Sequence, residues 1–155
     1  MLQKSFLILL SAMIFLSSCA TLEPPEYRSL NNFSVKNLSN QPEFSCNVKM
    51  YNPNHLGVKV KDYTFDIAVA NLCITSVHSV EVTRAPATSE FLIPVNGTLG
   101  VSQIPALVSA GMQSLASGSK VPVTVTGNVV VKKFLFRKTF PINFKQDIDL
   151  NFGQK

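Results

Sequence analysis

Histidine, cysteine and charge are all scarce in this chain of 155 residues: two histidines, three cysteines and 15% charged residues. The histidine shortage bears on metal and acid–base chemistry. His55 falls in a turn and His78 in an alternating strand, and neither has a Cys, Asp or Glu beside it at ligand spacing. Each reads as an exposed or satisfied structural histidine, and no metal site is expected. Gly-rich phosphate loops, a nucleophile elbow and a spaced carboxylate pair are missing too, and Asp147 and Asp149 read as a solvated strand end. The chain is therefore expected to be neither an enzyme nor the holder of a cofactor. Sparse charge also argues against disorder, since the 46% of apolar residues can fill a core.

The formal charge of +5 is a mild excess. Its cluster, Lys132, Lys133, Arg137 and Lys138, falls where a hairpin is expected and reads first as a solvated turn and edge. A weak contact with acidic lipid head groups or polymers is the secondary reading. Nucleic-acid binding needs a denser basic face with stacking aromatics and is not expected.

The amino terminus carries one positive charge, Lys4, and then an apolar run from Phe6 to Leu16 broken at Ser11 and Ala12. That run is shorter than the ~20 residues of a membrane-crossing helix and lacks a basic stop-transfer flank, so residues 1–18 read as a signal peptide. It ends in Leu16-Ser17-Ser18-Cys19, which resembles the lipobox of bacterial lipoproteins. The resemblance implies cleavage before Cys19, diacylglycerol on its sulfur and a further acyl chain on its new amino terminus. At ~0.8 kcal/mol per buried CH₂, several chains suffice for stable anchoring. Ala20, rather than Asp, follows the cysteine, which in the enteric sorting rule implies the outer membrane, facing the periplasm. Residues 19–29, with Glu23-Pro24-Pro25-Glu26 and no apolar periodicity, read as the lipidated cysteine and an extended tether.

From Leu30 onward, period-2 alternation dominates, which predicts an all-β domain over residues 30–152. Phe44, Cys46, Val48 and Met50 form one apolar face of a strand that Asn52-Pro53-Asn54 stops, because proline lacks an N–H and biases its predecessor toward extended geometry. Tyr63, Phe65, Ile67 and Val69 form the next inward face. A hairpin tip at Asn71-Leu72 leads into a strand over residues 74–82, though Leu72 suits a primed turn poorly. Residues 90–95 form another strand, with Asn96-Gly97 expected as a bulge or bend. Pro105 to about Ser117 is predicted to be a helix, with Ile104, Leu107, Val108, Gly111, Met112 and Leu115 on one stripe, Ser102 as its cap and Gly118 at its terminating position. The stripe is expected to close an end or edge of the sheet. Val121 to Val131 and Phe134 to Phe144 complete the strands, and Gly127 within the first implies a bulge or a close backbone approach. About seven antiparallel strands with one short connecting helix predict an immunoglobulin or fibronectin III-like β-sandwich.

Met50-Tyr51-Asn52-Pro53-Asn54, then Gly57-Val58-Lys59-Val60 and Tyr63-Thr64-Phe65-Asp66-Ile67, resemble the late embryogenesis abundant type 2 family, also called the water-stress and hypersensitive-response (WHy) domain. Ile93-Pro94-Val95 and Gly127-Asn128-Val129 extend the likeness, which covers roughly residues 30–152. Asn71-Leu72-Cys73 departs from the family's common Asn-Gly there, which puts the turn type in doubt. The resemblance implies a sandwich without catalytic machinery, linked to desiccation and stress tolerance, and supplies no binding site.

Cys46 and Cys73 can join only if their backbones lie close. Cys46 fits a buried apolar position and Cys73 a hairpin tip, so two separate thiols are expected. The sequons at Asn32 and Asn37 carry no meaning in a bacterial envelope. Two functional readings follow: a lipid-anchored accessory protein of the envelope, or an envelope module that recruits a lipid, peptide or protein through a sheet edge or the groove beside the helix. Beyond the membrane reached through the acyl chains, partner and oligomeric state stay open.

Overall fold

A computed structural model describes residues 21–37, 42–118 and 120–148, without the side chains of Val101, Ser114 and Leu115. The signal peptide, the lipobox through Cys19, most of the Asn37 sequon, Asp149 and the end of the expected domain lie outside the described residues.

The strands are β1 (Glu26–Lys36), β2 (Glu43–Asn52), β3 (Val58–Val69), β4 (Leu72–Ser79), β5 (Thr83–Ala85), β6 (Ser89–Thr98), β7 (Val121–Lys133) and β8 (Phe136–Ile148), with the helix α1 (Ile104–Ser117) between β6 and β7. A three-stranded sheet runs β1-β2-β6; a second runs β4-β3-β7-β8, with β5 paired to β3 beyond the end of β4. All pairings are antiparallel. The mainly β sandwich expected from alternation is what forms, with the three-residue β5 as an additional strand.

The core lies between the sheets because alternate residues point inward. Phe44, Cys46, Val48 and Met50 of β2 and Phe91, Ile93 and Val95 of β6 face Tyr63, Phe65, Ile67 and Val69 of β3 and the valines of β7, all buried. The strand prolines fall where a missing N–H costs least: Pro94 and Pro141 on the edge strands β6 and β8, and Pro122 at the start of β7. At Gly127 the backbones of β7 and β3 approach so closely that a Cβ would lie 1.9 Å from the Thr64 carbonyl oxygen.

One open side is sealed by Gln146 of β8, whose Oε1 accepts from the Leu30 N–H (2.7 Å) and whose Nε2 donates to the Leu30 carbonyl (3.1 Å). The Tyr27 hydroxyl also donates to that Oε1, and its ring stacks on Phe144 with centroids 3.5 Å apart. On the other side the Thr75 hydroxyl donates to the Thr98 carbonyl, and the Tyr63 hydroxyl crosses between sheets to the Pro94 carbonyl at 2.7 Å.

Several local expectations shift. The β3–β4 loop is Ala70-Asn71, with φ of 49° and 67°, not Asn71-Leu72. Both central residues of such a turn need positive φ, and moving the turn back one position spares Leu72 that conformation. A bulge then places Ile74 inward. The strand after the loop stops at Ser79, before the separate β5. Asn96-Gly97 makes no bulge: the β2–β6 register runs through it, and Gly97 leaves room for the Phe44 ring, which a Cβ would meet at 2.4 Å. Ser102 lies inside a 3₁₀ turn, Val101–Gln103, ahead of the helix, and so does not cap it from outside. Gly118 ends the helix at φ 64° as expected. Within the helix Leu107 is buried against the core whereas Met112 is 65% exposed, so the helical stripe covers its end of the sandwich only in part.

The segment read as a tether is shorter than expected. Glu26 already begins β1, Pro25 is buried, and Glu23 is fixed by hydrogen bonds to the Asn54 side chain.

Candidate functional site

The Asn-Pro-Asn turn is built from inside. Asn52 is the one buried polar residue among those described, at 1% exposure. Its Nδ2 donates to the carbonyls of Pro86 (2.7 Å), Ala85 (3.2 Å) and Leu56 (3.3 Å), and its Oδ1 accepts from the backbone N–H and side-chain amide of Asn54. Asn54 in turn pairs with Glu23 through both amide atoms, Glu23 N–H to Oδ1 at 2.9 Å and Nδ2 to Glu23 carbonyl at 3.1 Å. The Asn54 carbonyl accepts from the Thr88 N–H. Three chain segments are thus joined by two side chains whose amide groups are already engaged, a structural clasp rather than a ligand site. Pro53, half-buried between them, holds the turn.

Beside the clasp opens a cleft of about 830 Å³, lined by Gly57, Val58, Val82, Pro86 and Phe134, with Lys59, Arg84 and Lys132 at its walls. Pairing explains the assembly: Val58 and Lys59 lie opposite Ala85 and Arg84 of β5, and Lys59 lies opposite Lys132 of β7. The groove considered beside the helix is smaller, about 390 Å³, and lies at the opposite end with Ala70, Ala110 and Pro122.

The expected basic cluster does sit on the β7–β8 hairpin. Lys133 pairs with Phe136, which leaves Phe134-Leu135 as a two-residue loop. Phe134, Leu135 and Phe136 are 83%, 96% and 74% exposed. Composition had not marked these three as surface residues, yet the signal was present: apolar residues at a loop between Lys132-Lys133 and Arg137-Lys138 have no inward face to occupy. Arg137 reaches Asp62 at 3.6 Å, and the Lys138 ammonium lies 5.0 Å from the centre of the Phe140 ring.

The histidines behave as surface residues. His55 is exposed in the bend after Pro53. His78 Nδ1 lies 3.3 Å from the Thr64 hydroxyl and 3.7 Å from Asp62, a neighbour that only strand pairing brings close. Among the described residues, His, Cys, Asp and Glu form no group of three or more able to hold a metal. Both described cysteines are free, Cys46 buried and Cys73 exposed. Burial pushes the Cys46 thiol up to about 12. Burial likewise lifts the Tyr27 hydroxyl to about 12, against a hydrogen bond at Leu30 that lowers it. No helix among the described residues is long and apolar enough to cross a membrane.

The late embryogenesis abundant protein family matches residues 47–146, from the middle of β2 into β8. No curated protein matches the chain. A solution structure from Arabidopsis thaliana is similar at a TM-score of 0.59 and 15% identity, over 91% of each chain. A crystal structure of a protein from Archaeoglobus fulgidus gives 0.52 at 13%, over 80% of this chain and 97% of that one. A solution structure described as a late embryogenesis abundant protein gives 0.50 at 12%, over 96% and 86%. At these identities the structures share the fold, while the sequence match covers most of the sandwich and includes Asn52 and Asn54 of the clasp. The chain belongs to the late embryogenesis abundant type 2 family.

Proposed function

We propose that the chain is a lipid-anchored, non-enzymatic WHy-type protein of the bacterial cell envelope, held in the outer membrane facing the periplasm, that helps the envelope withstand drying or osmotic stress. The observation that carries this reading is the order of parts: a signal-like apolar run, a lipobox-like Leu16-Ser17-Ser18-Cys19, and a late embryogenesis abundant domain whose β1 begins at Glu26. Cys19 supplies the nucleophilic sulfur for diacylglycerol, and Ala20 behind it favours transport to the outer membrane. The engagement of Asn52 and Asn54 by the chain itself supports a motif kept for folding, not for chemistry.

The test is a deletion strain exposed to drying and osmotic shock. Reduced survival, restored by the intact gene and not by Cys19→Ser, is the expected result. Survival equal to that of the parent under both stresses removes the stress role.

A further inference from the structure

We propose that the tip of the β7–β8 hairpin is a second membrane contact, in which Phe134, Leu135 and Phe136 enter the interface of an anionic leaflet while the surrounding lysines and arginines meet its head groups.

Apolar exposure is unevenly distributed over the molecule. Leu56, Val82, Phe134, Leu135 and Phe136 gather at the end that carries the clasp, with Val80 just before Val82 in the chain, while Leu72 and Met112 lie toward the opposite end and Leu92 stands alone on β6. Three consecutive large apolar residues at a convex tip cannot be covered by their own sheet, and such a patch marks an interaction surface. Its rim is basic: Lys132, Lys133, Arg137 and Lys138 flank the tip, and Lys59, Lys61 and Arg84 stand on the adjacent strands. Asp62 is paired with Arg137, Glu26 with Arg28 and Glu90 with Lys49, while Glu23 of the clasp and Glu81 ahead of β5 are carboxylates that the basic groups outnumber. Apolar residues inside a basic rim are complementary to an anionic bilayer surface, where aromatic and aliphatic groups bury at the acyl boundary and lysines attract the lipid charge.

The backbone gives a second argument. Phe134 holds φ at 51°, a conformation that bulky residues seldom take and that glycine, asparagine or aspartate would adopt more readily. A phenylalanine there works against the turn, and strain of that kind points toward function.

The reach of the anchor, which rests on the lipoprotein reading, favours the same end. Four peptide steps separate Cys19 from Glu23, which the clasp fixes, so the lipidated cysteine lies within ~14 Å of that point. The thirteen residues of β7 span ~40 Å. An anchor of that reach brings the clasp end to the bilayer and leaves the β3–β4 end away from it.

The chain contains no tryptophan, so a single one reports its own surroundings. Lipidated native protein carrying Leu135→Trp, Phe136→Trp or, at the far end, Leu72→Trp is placed in vesicles of phosphatidylethanolamine and phosphatidylglycerol containing brominated lipid. Tryptophan at 135 and 136 is expected to emit further to the blue and to be quenched severalfold more than at 72. Lys132→Gln with Lys133→Gln is expected to weaken association of the unanchored mature domain with these vesicles by about tenfold or more, at ~1 kcal/mol per charge. Quenching at 135 and 136 no greater than at 72 overturns the proposal. So does a blue shift without quenching, because protein rather than lipid then covers the tip. The intact mass of the same preparation separates the two readings: lipid on Cys19 with residue 135 in water removes the hairpin contact alone, and an unlipidated chain quenched at 135 removes the anchor alone.

Discussion

Asn52 and Asn54 form a relay in which one buried amide oxygen accepts both the backbone N–H (3.1 Å) and the side-chain amide (2.8 Å) of the residue two positions on. Through it the N-terminal segment at Glu23 and the β5–β6 connection at Ala85-Pro86 are tied to the end of β2.

Replacing Asn52 with Asp keeps the shape and removes the donors, leaving a carboxylate against the carbonyls of Pro86, Ala85 and Leu56. Each buried group left unsatisfied costs about 1–3 kcal/mol, so N52D is expected to lose at least about 3 kcal/mol in urea unfolding. Asn54→Ala is expected to lose less, because its bonds to Glu23 are exposed.

The two glycines with positive φ among the described residues separate steric exclusion from backbone preference. Gly127→Ala places a methyl group on the Thr64 carbonyl and is expected to cost about 3 kcal/mol. Gly118→Ala meets nothing within 4 Å at φ 64° and is expected to cost about 1 kcal/mol. Thermal denaturation of both variants checks the difference.

Phe134→Gly relieves an unfavourable φ at the hairpin tip. It is expected to leave the fold unchanged or raise its stability by up to about 1 kcal/mol, the left-handed penalty less the entropy of glycine. Chemical denaturation reads the change, and a marked loss of stability would show that this ring supports the fold.

Burial raises Cys46 from 9.0 to about 12 and Tyr27 from 10.0 to about 12, so the folded state holds these protons more tightly than the unfolded chain does. The stability that this contributes is complete below about pH 9 and declines as pH rises from about 9 toward 12. Cys46→Val is expected to flatten the alkaline decline. At pH 8 a thiol reagent is expected to modify exposed Cys73 quickly and buried Cys46 only on unfolding.

Where the sequence was legible, one face of a strand met one core. β2, β3 and β7 announced themselves because alternate side chains enter the same interior, and Gly127 because its missing Cβ is needed by a neighbouring backbone. The sheet seal was not legible: Gln146 and Leu30 lie far apart along the chain, and no periodicity connects them. Nor was the Glu23 clasp, since Glu23-Pro24-Pro25 resembles any extended linker until Asn54 is placed beside it. The apolar hairpin tip was half legible: Phe134 and Phe136 look like strand residues of the core until their place between Lys132-Lys133 and Arg137-Lys138 is weighed, and the pairing of Lys133 with Phe136 turns the loop outward.

The intact mass of the native protein extracted from membranes tests the central claim most directly. The account predicts a chain that starts at Cys19 and carries the mass of acyl chains on that residue. A full-length, unmodified chain starting at Met1 and recovered from the cytosol would contradict it.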